Sequence, residues 1–313
     1  MKILALVAHP RIPNNDEMYQ AMQQYAQVDI VKMDSSQQKN LRKQLKHIDL
    51  KQYDRIVLDL PFKRMVKQSR LLRALPNLVI YEQDACQNYT RESKWYGYFL
   101  PFYKKLEHFR LLCTSVQLAE KFKHEGIDAC FLAKAYDQSR LKNLNVSRDI
   151  ELGFIGRMSS DAYIKRKELL TFMQQASGLQ LLRTEPGEAY LNLLNRIKIF
   201  ISADLGFGEY MAKNFEAMAC GCLLVAYRQG VEEEALGLED MKNIVLYSDK
   251  QELLDKLELL KNNAMLVGQI ASAGQAYAEK YFTYDVMARN FSSYVENASP
   301  VNLKNENKLV KNA

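Results

Sequence analysis

What the chain lacks narrows its class first. No run of residues approaches the ~18 consecutive apolar positions of a membrane span, and Met1-Lys2-Ile3-Leu4-Ala5-Leu6-Val7 is too short for a secretory signal. The expectation is a cytoplasmic protein. Cysteines are few and odd in number, at 86, 113, 130, 220 and 222, and they show no paired metal-ligand spacing. They read as reduced thiols. The four histidines are scattered and no D-x-D occurs, so no metal constellation is expected. Short-period repeats and nucleic-acid modules are also missing. Asn88-Tyr89-Thr90 fits a glycan-acceptor pattern, which carries no weight without a route to secretion.

Apolar material is ample: 48% of the 313 residues are hydrophobic, enough for two α/β domains that each bury a core. Charge is unevenly spread. Residues 1–145 carry 24 Lys and Arg against 15 Asp and Glu, whereas the remainder carries 19 against 22. A basic first half suits an anionic acceptor or an anionic bilayer, while an ordinary solvated surface accounts equally for most of its dispersed charges.

Along the first half, apolar strands at Lys2–Ala8, Val28–Met33, Arg55–Leu60, Leu78–Tyr81, Leu111–Thr114 and Ala129–Ala133 alternate with helical spacing. The predicted helices are Asn15–Ala26, Gln37–Ile48, a basic Phe62–Leu75, and Val116–Glu125 capped by Ser115. Such alternation implies a parallel sheet covered on both sides, which binds ligands beyond the carboxyl ends of its strands. His9, in a loop with Arg11 and Asn14, Pro61 and Asp84 stand at such ends. His9 reads either as an acceptor or phosphate contact or as a solvated loop imidazole. Asp84, with Glu82 nearby, is the acidic candidate for the acceptor side, because a carboxylate at a buried strand end needs a partner or a use. Between Tyr89 and Tyr103 lies the richest aromatic segment, read mostly as core.

The second half starts afresh after the polar stretch Lys142–Arg148, read as the inter-domain linker. Glu151–Gly156 is a strand entering a Gly turn at Gly156-Arg157, and further strands fall at Leu179–Leu182, Ile197–Ser202, Cys222–Tyr227 and Ile244–Leu246. Its centre is Gly206–Tyr227: Gly206 and Gly208 permit a tight loop, Met211, Phe215, Met218 and Ala219 give a helix one apolar face, and Gly221 stops it. Lys213 and Glu216 lie three apart near the positive end of that helix. A cation there suits a phosphate, and the carboxylate could accept ribose hydroxyls. Gln251–Leu260, Ala264–Tyr281 and Val286–Val295 read as amphipathic helices, and the Asn- and Lys-rich residues after 297 as disordered.

Glu216-Ala217-Met218-Ala219-Cys220-Gly221 resembles the second half of the E-x7-E…A-M-A-x-G signature of GT-B glycosyltransferases, family 4-like. The first Glu of that signature falls on Gly208, with Glu209 one position away, and Phe215–Gly221 is similar to the spore-maturation-protein-like branch, which often lacks that Glu. Gly156-Arg157 with Lys165, Arg166 and Lys167 resembles the family's pyrophosphate-binding stretch, and Lys134-Ala135-Tyr136-Asp137 stands where the family has N-G-V-D. The resemblance implies an α/β GT-B fold of two Rossmann-like domains with parallel sheets facing a central cleft. Residues 1–145 would form the acceptor domain, 146–284 the nucleotide-sugar domain, 285–297 a terminal helix crossing back, and 298–313 the tail.

It further implies transfer of a hexosyl group from a nucleotide-sugar to a glycan, lipid-linked or protein acceptor of cell-envelope type, with retention of configuration and no metal. No cofactor is expected beyond the nucleotide-sugar co-substrate. An anionic membrane surface is a possible partner and nucleic acid is not. Arg157, either Lys165 or Arg166, and Lys213 would hold the pyrophosphate, Glu216 the ribose and Glu209 the donor sugar, with Asp84 and His9 on the acceptor side. Two alternatives stay open: a GT-B protein that binds sugar nucleotides without turnover, and a sugar-nucleotide epimerase.

Overall fold

The computed structural model describes residues 1–11, 15–158 and 164–297. Among these residues eleven strands form two wholly parallel sheets. The first contains β1 (Lys2–Ala8), β2 (Gln27–Met33), β3 (Arg55–Asp59), β4 (Leu78–Glu82), β5 (Phe109–Cys113) and β6 (Ala129–Phe131), in the order β2-β1-β3-β4-β5-β6. The second contains β7 (Ile150–Ile155), β8 (Gln180–Leu182), β9 (Ile197–Ser202), β10 (Leu223–Tyr227) and β11 (Val245–Tyr247), in the order β11-β10-β9-β7-β8. The strand order reverses between β1 and β3 in the first sheet and between β7 and β9 in the second. These are the switch points at which such sheets open a crevice.

Both faces of the first sheet are covered, which is why β1 reads as a continuous apolar run rather than an alternating one. Ile3, Ala5 and Val7 pack on one face with Met18 and Tyr19, while Leu4, Leu6 and Ala8 pack on the other with Leu41 and Phe62. The helix Tyr284–Glu296 closes the first of these faces through Tyr284, Met287, Ala288, Phe291 and Val295. Thr283 caps it by accepting from the Val286 amide, and at its far end Arg55 and Arg110 donate to the carbonyls of Tyr294, Val295 and Glu296. Fully burying a side chain such as Phe291 contributes about 1.5–3 kcal/mol, so this last helix belongs energetically to the first sheet.

The helices of the first domain are shorter than their periodicity predicts, and polar side chains explain the breaks. Phe62–Leu75 divides into Phe62–Met65, a 3-10 turn Val66–Gln68, and Ser69–Arg73. At the break the Gln68 amide donates to the carbonyls of Arg64 and Gln38 and accepts from the Leu41 amide. Gln37–Ile48 is interrupted at Asn40, whose side chain caps the helix Leu41–Leu45. In each case a side chain offers the backbone partners that compete with a continuing helix.

The aromatic segment divides into core and surface. Phe99, Phe102 and Tyr103 are buried, with Phe62 stacked on Phe99 at 3.8 Å, whereas Tyr89, Tyr96 and Tyr98 are exposed. Lys142–Arg148 is pinned to the second domain instead of hanging free. Arg148 donates to the carbonyls of Ile197 and Cys220, and Asn143 donates to Gln275. The tail from residue 298 and Asn14 lie outside the described residues.

Candidate active site

At the switch point of the second sheet, β7 runs out into Gly156 and Arg157 beside the helix Ala212–Ala219, which follows β9. Gly206 and Gly208 take positive φ in the intervening loop, as the tight turn predicts, and Gly221 does the same at the helix end. Lys213 reaches from the first turn of this helix to the β7 terminus, its Nζ donating to the Ile155 carbonyl at 3.2 Å and lying 5.2 Å from the centre of the Phe154 ring. A Cβ on Gly156 would meet that Nζ at 2.5 Å and the Phe154 ring at 2.8 Å, so a larger residue would displace the ammonium from this position. Burial pushes the Lys213 ammonium pKa down, with Asp204 and Glu216 opposing the shift and Arg166 and Arg157 adding to it. An anion arriving between Lys213 and exposed Arg157 would relieve both.

Glu216 stands one turn further along the same helix. Its Oε2 accepts from the Tyr190 hydroxyl at 2.5 Å. Burial pushes the Glu216 carboxyl up, while the Tyr190 bond and Lys213 pull it back.

The neighbours Lys165 and Arg166 are not interchangeable. Arg166 is buried, paired with Asp204, and its Nε donates to the Ala203 carbonyl at 3.3 Å. Asp204 also accepts from Ser202 and Asn214, so this cluster fixes the exit of β9. Lys165 is exposed and its Nζ would lie 3.9 Å from a Cβ on Gly206, which leaves Lys165 as the cation facing the glycine loop.

Glu209 occupies the seam between the two domains. It is fully buried, accepts from Thr114 Oγ1 at 2.5 Å and pairs with Lys134 at 3.1 Å, and its Oε1 has no hydrogen-bond partner among the described residues. A second carboxylate crosses the seam nearby. Glu232 accepts from the Ser115 hydroxyl and from the amides of Val116 and Gln117, capping a helix of the other domain.

On the facing side, Asp59 ends β3 at the switch point of the first sheet. It is buried and accepts from Arg11, Asn15, Tyr19 and Gln83. His9 is exposed at the end of β1, with Nδ1 3.8 Å from Asp16. The argument for Asp84 from burial fails, because Asp84 is exposed and the interior carboxyl is Glu82. Burial, reinforced by the Asp84 charge, pushes Glu82 up to about 8, against bonds from the Asp84 amide and the Tyr103 hydroxyl. Among the described residues no cluster of three or more His, Cys, Asp or Glu could hold a metal ion.

Residues 166–293 match the family model described as glycosyl transferase-like. In structure the chain is similar to a sucrose-phosphate synthase from Thermosynechococcus elongatus (TM-score 0.67, 10% identity, covering 95% of this chain and 98% of that one). It is similar also to Anabaena HepE, solved in complex with UDP (0.62, 15%, covering 95% and 100%). T4 phage BGT in complex with its UDP-glucose substrate is a further neighbour (0.58, 11%, covering 95% and 99%). No curated protein matches in sequence. The chain has the two-domain GT-B fold of these neighbours.

The fold brings Arg157, Lys165, Lys213 and Glu216 to one crevice, whereas Arg166 lies behind it and Glu209 at its seam. His9 and Asp84 stand on the opposite sheet. Sequence reasoning missed Asp59, Lys134, Tyr190 and Glu232. For Asp59 a signal existed, since an acid closing the apolar run Ile56-Val57-Leu58 must find partners. For the other three no local pattern marks a partner that lies on a distant element.

Proposed function

We propose that the enzyme transfers a hexosyl group from a UDP-sugar bound at the β7/β9 crevice to an acceptor held against the first domain. The observation that carries this reading is Lys213, desolvated at the end of β7 in the space that Gly156 leaves open, with Glu216 one turn away. A departing UDP develops charge on its terminal phosphate, and Lys213, Arg157 and Lys165 supply fixed cations for it. HepE and T4 phage BGT, which share the fold, are described with UDP and UDP-glucose. Glu216 takes the ribose and Glu209 the donor sugar, with His9 and Asp84 on the acceptor side. Retention of configuration without a metal is the stereochemical course implied by the family resemblance. Calorimetric titration with UDP tests the donor site: Glu216→Ala is expected to weaken binding by about tenfold, the worth of one charged hydrogen bond. An unchanged affinity would remove Glu216 from the ribose.

We propose further that the acceptor is anionic or lipid-linked and that the first domain meets it at a cytoplasmic membrane face. Lys63, Lys67 and Lys105 are exposed, as are Tyr96 and Tyr98. Trp95 packs at 5.2 Å on Phe62, which joins the aromatic loop to the Lys63 helix. Arg64 is half-buried on Ser35, and Lys104 is paired with Glu125 at 2.6 Å, so those two contribute least. Among the described residues no helix is long and apolar enough to cross a membrane. Each free basic residue near an anionic leaflet adds about 1 kcal/mol, which gives weak attachment that salt reverses. Sedimentation with anionic vesicles at low salt is expected to deplete the supernatant, and neutral vesicles or high salt to restore it. Equal recovery in all conditions would leave a soluble acceptor.

A further inference from the structure

We propose that Tyr190 is a positioning residue that holds the Glu216 carboxylate for a nucleotide's ribose and thereby sets the preference for ribonucleoside over deoxyribonucleoside diphosphates. This rests on the reading of Glu216 as the ribose ligand. Tyr190 belongs to the helix Glu188–Arg196, which follows β8, the strand beside β7, whereas Glu216 belongs to the helix after β9. Their 2.5 Å bond therefore joins the helix that enters β9 to the helix that leaves it at the crevice. Both side chains are half-buried, with Tyr190 resting against the core of the second domain and neither fully enclosed by it.

Chemistry gives the bond a purpose. The terminal torsion of a glutamate is broad and nearly two-fold, so a carboxylate held by nothing presents no fixed acceptor to a diol. Tyr190 occupies Oε2, and Oε1 has no hydrogen-bond partner among the described residues. One oxygen is thus anchored while the other stays open to a hydroxyl. The bond also keeps the group an acceptor: a carboxylate accepts strongly, and the neutral acid gives up one oxygen to its own proton.

The titratable groups around Glu216 are Tyr190, then Lys213 on its own helix and Cys220 just past the end of that helix, and Tyr284 from the terminal helix. Of these, Tyr190 and Lys213 favour the charged carboxylate against the burial that disfavours it. Removing the phenol takes away one of the two, so Glu216 protonates at higher pH.

The test is calorimetry on the full chain with UDP, 2′-deoxy-UDP and 3′-deoxy-UDP, in a pH series descending from neutral, the direction in which a raised carboxyl takes up its proton. The wild type is expected to prefer UDP over at least one deoxy analogue by about tenfold near neutral pH, and to lose that preference as the pH falls. Tyr190→Phe should show a smaller preference whose loss begins at higher pH, and Glu216→Gln a small one independent of pH. If the wild type discriminates and Tyr190→Phe keeps the same preference and the same pH profile, the role of Tyr190 is overturned and the ribose reading stands. A uniform loss of affinity for all three nucleotides at every pH would make Tyr190 a structural residue and overturn the proposal as well. If the wild type does not discriminate, or binds no UDP, the ribose reading falls and this inference with it.

Discussion

Asp204→Ala is expected to destabilise the second domain by about 3–5 kcal/mol, the cost of breaking a buried ion pair from one side. The substitution leaves the Arg166 guanidinium buried without its carboxylate, and it orphans the donors of Ser202 and Asn214 at the same point. No water can reach in to compensate, since Arg166 and Asp204 are 4% and 1% exposed. Urea unfolding followed by circular dichroism measures the loss. A change below about 1 kcal/mol, the scale of an exposed pair, would show the cluster to be solvated. Lys165→Ala, one residue earlier on an exposed side chain, serves as the contrast and should leave stability nearly unchanged.

Arg157→Ala is expected to lower turnover by about 10²- to 10³-fold, the effect of deleting one fixed donor to a developing charge. Arg157 is exposed at the end of β7, and its charge already acts on Lys213 in the absence of ligand. Two cations held together against their mutual repulsion gain most when the leaving diphosphate is most negative, which is in the transition state. The effect should therefore fall on kcat, with KM for the donor little changed. Release of UDP from a UDP-sugar gives the readout. A raised KM with turnover intact would reduce Arg157 to a docking residue.

The strands were legible because buried parallel strands are runs of Val, Ile and Leu that need no partner to be recognised, as Val57-Leu58 and Ile199-Phe200-Ile201 illustrate. The Gly206–Gly221 stretch was legible for another reason: its glycines answer backbone demands that are local, and three of them take positive φ. What could not be read was which way a side chain faces. Lys165 and Arg166 are one residue apart, roughly 100° of helix rotation, and that rotation sends one to the loop and the other into the core. Nor could any pattern within one segment disclose that Glu232 closes a helix more than a hundred residues earlier, or that Tyr190 meets Glu216. Such pairs exist only once the sheets are assembled. The breaks at Gln68 and Asn40 have the same origin, because periodicity counts apolar positions and ignores the polar side chain that finds a nearer carbonyl.

The chain passes between its two cores twice. Ala135 packs in the first and Tyr136 in the second, and on the return Phe282 packs in the second and Tyr284 in the first. The two crossings are not separate tethers. The Tyr136 amide donates to the Phe282 carbonyl and the Tyr284 amide to the Tyr136 carbonyl, both at 2.9 Å, so they form a short parallel ribbon. A ribbon flexes across its width but resists shear along its length, because sliding one strand past the other breaks both bonds together. A bend at Tyr136 and Thr283 would keep both bonds, so the two crossings act as one joint and not as two independent connections.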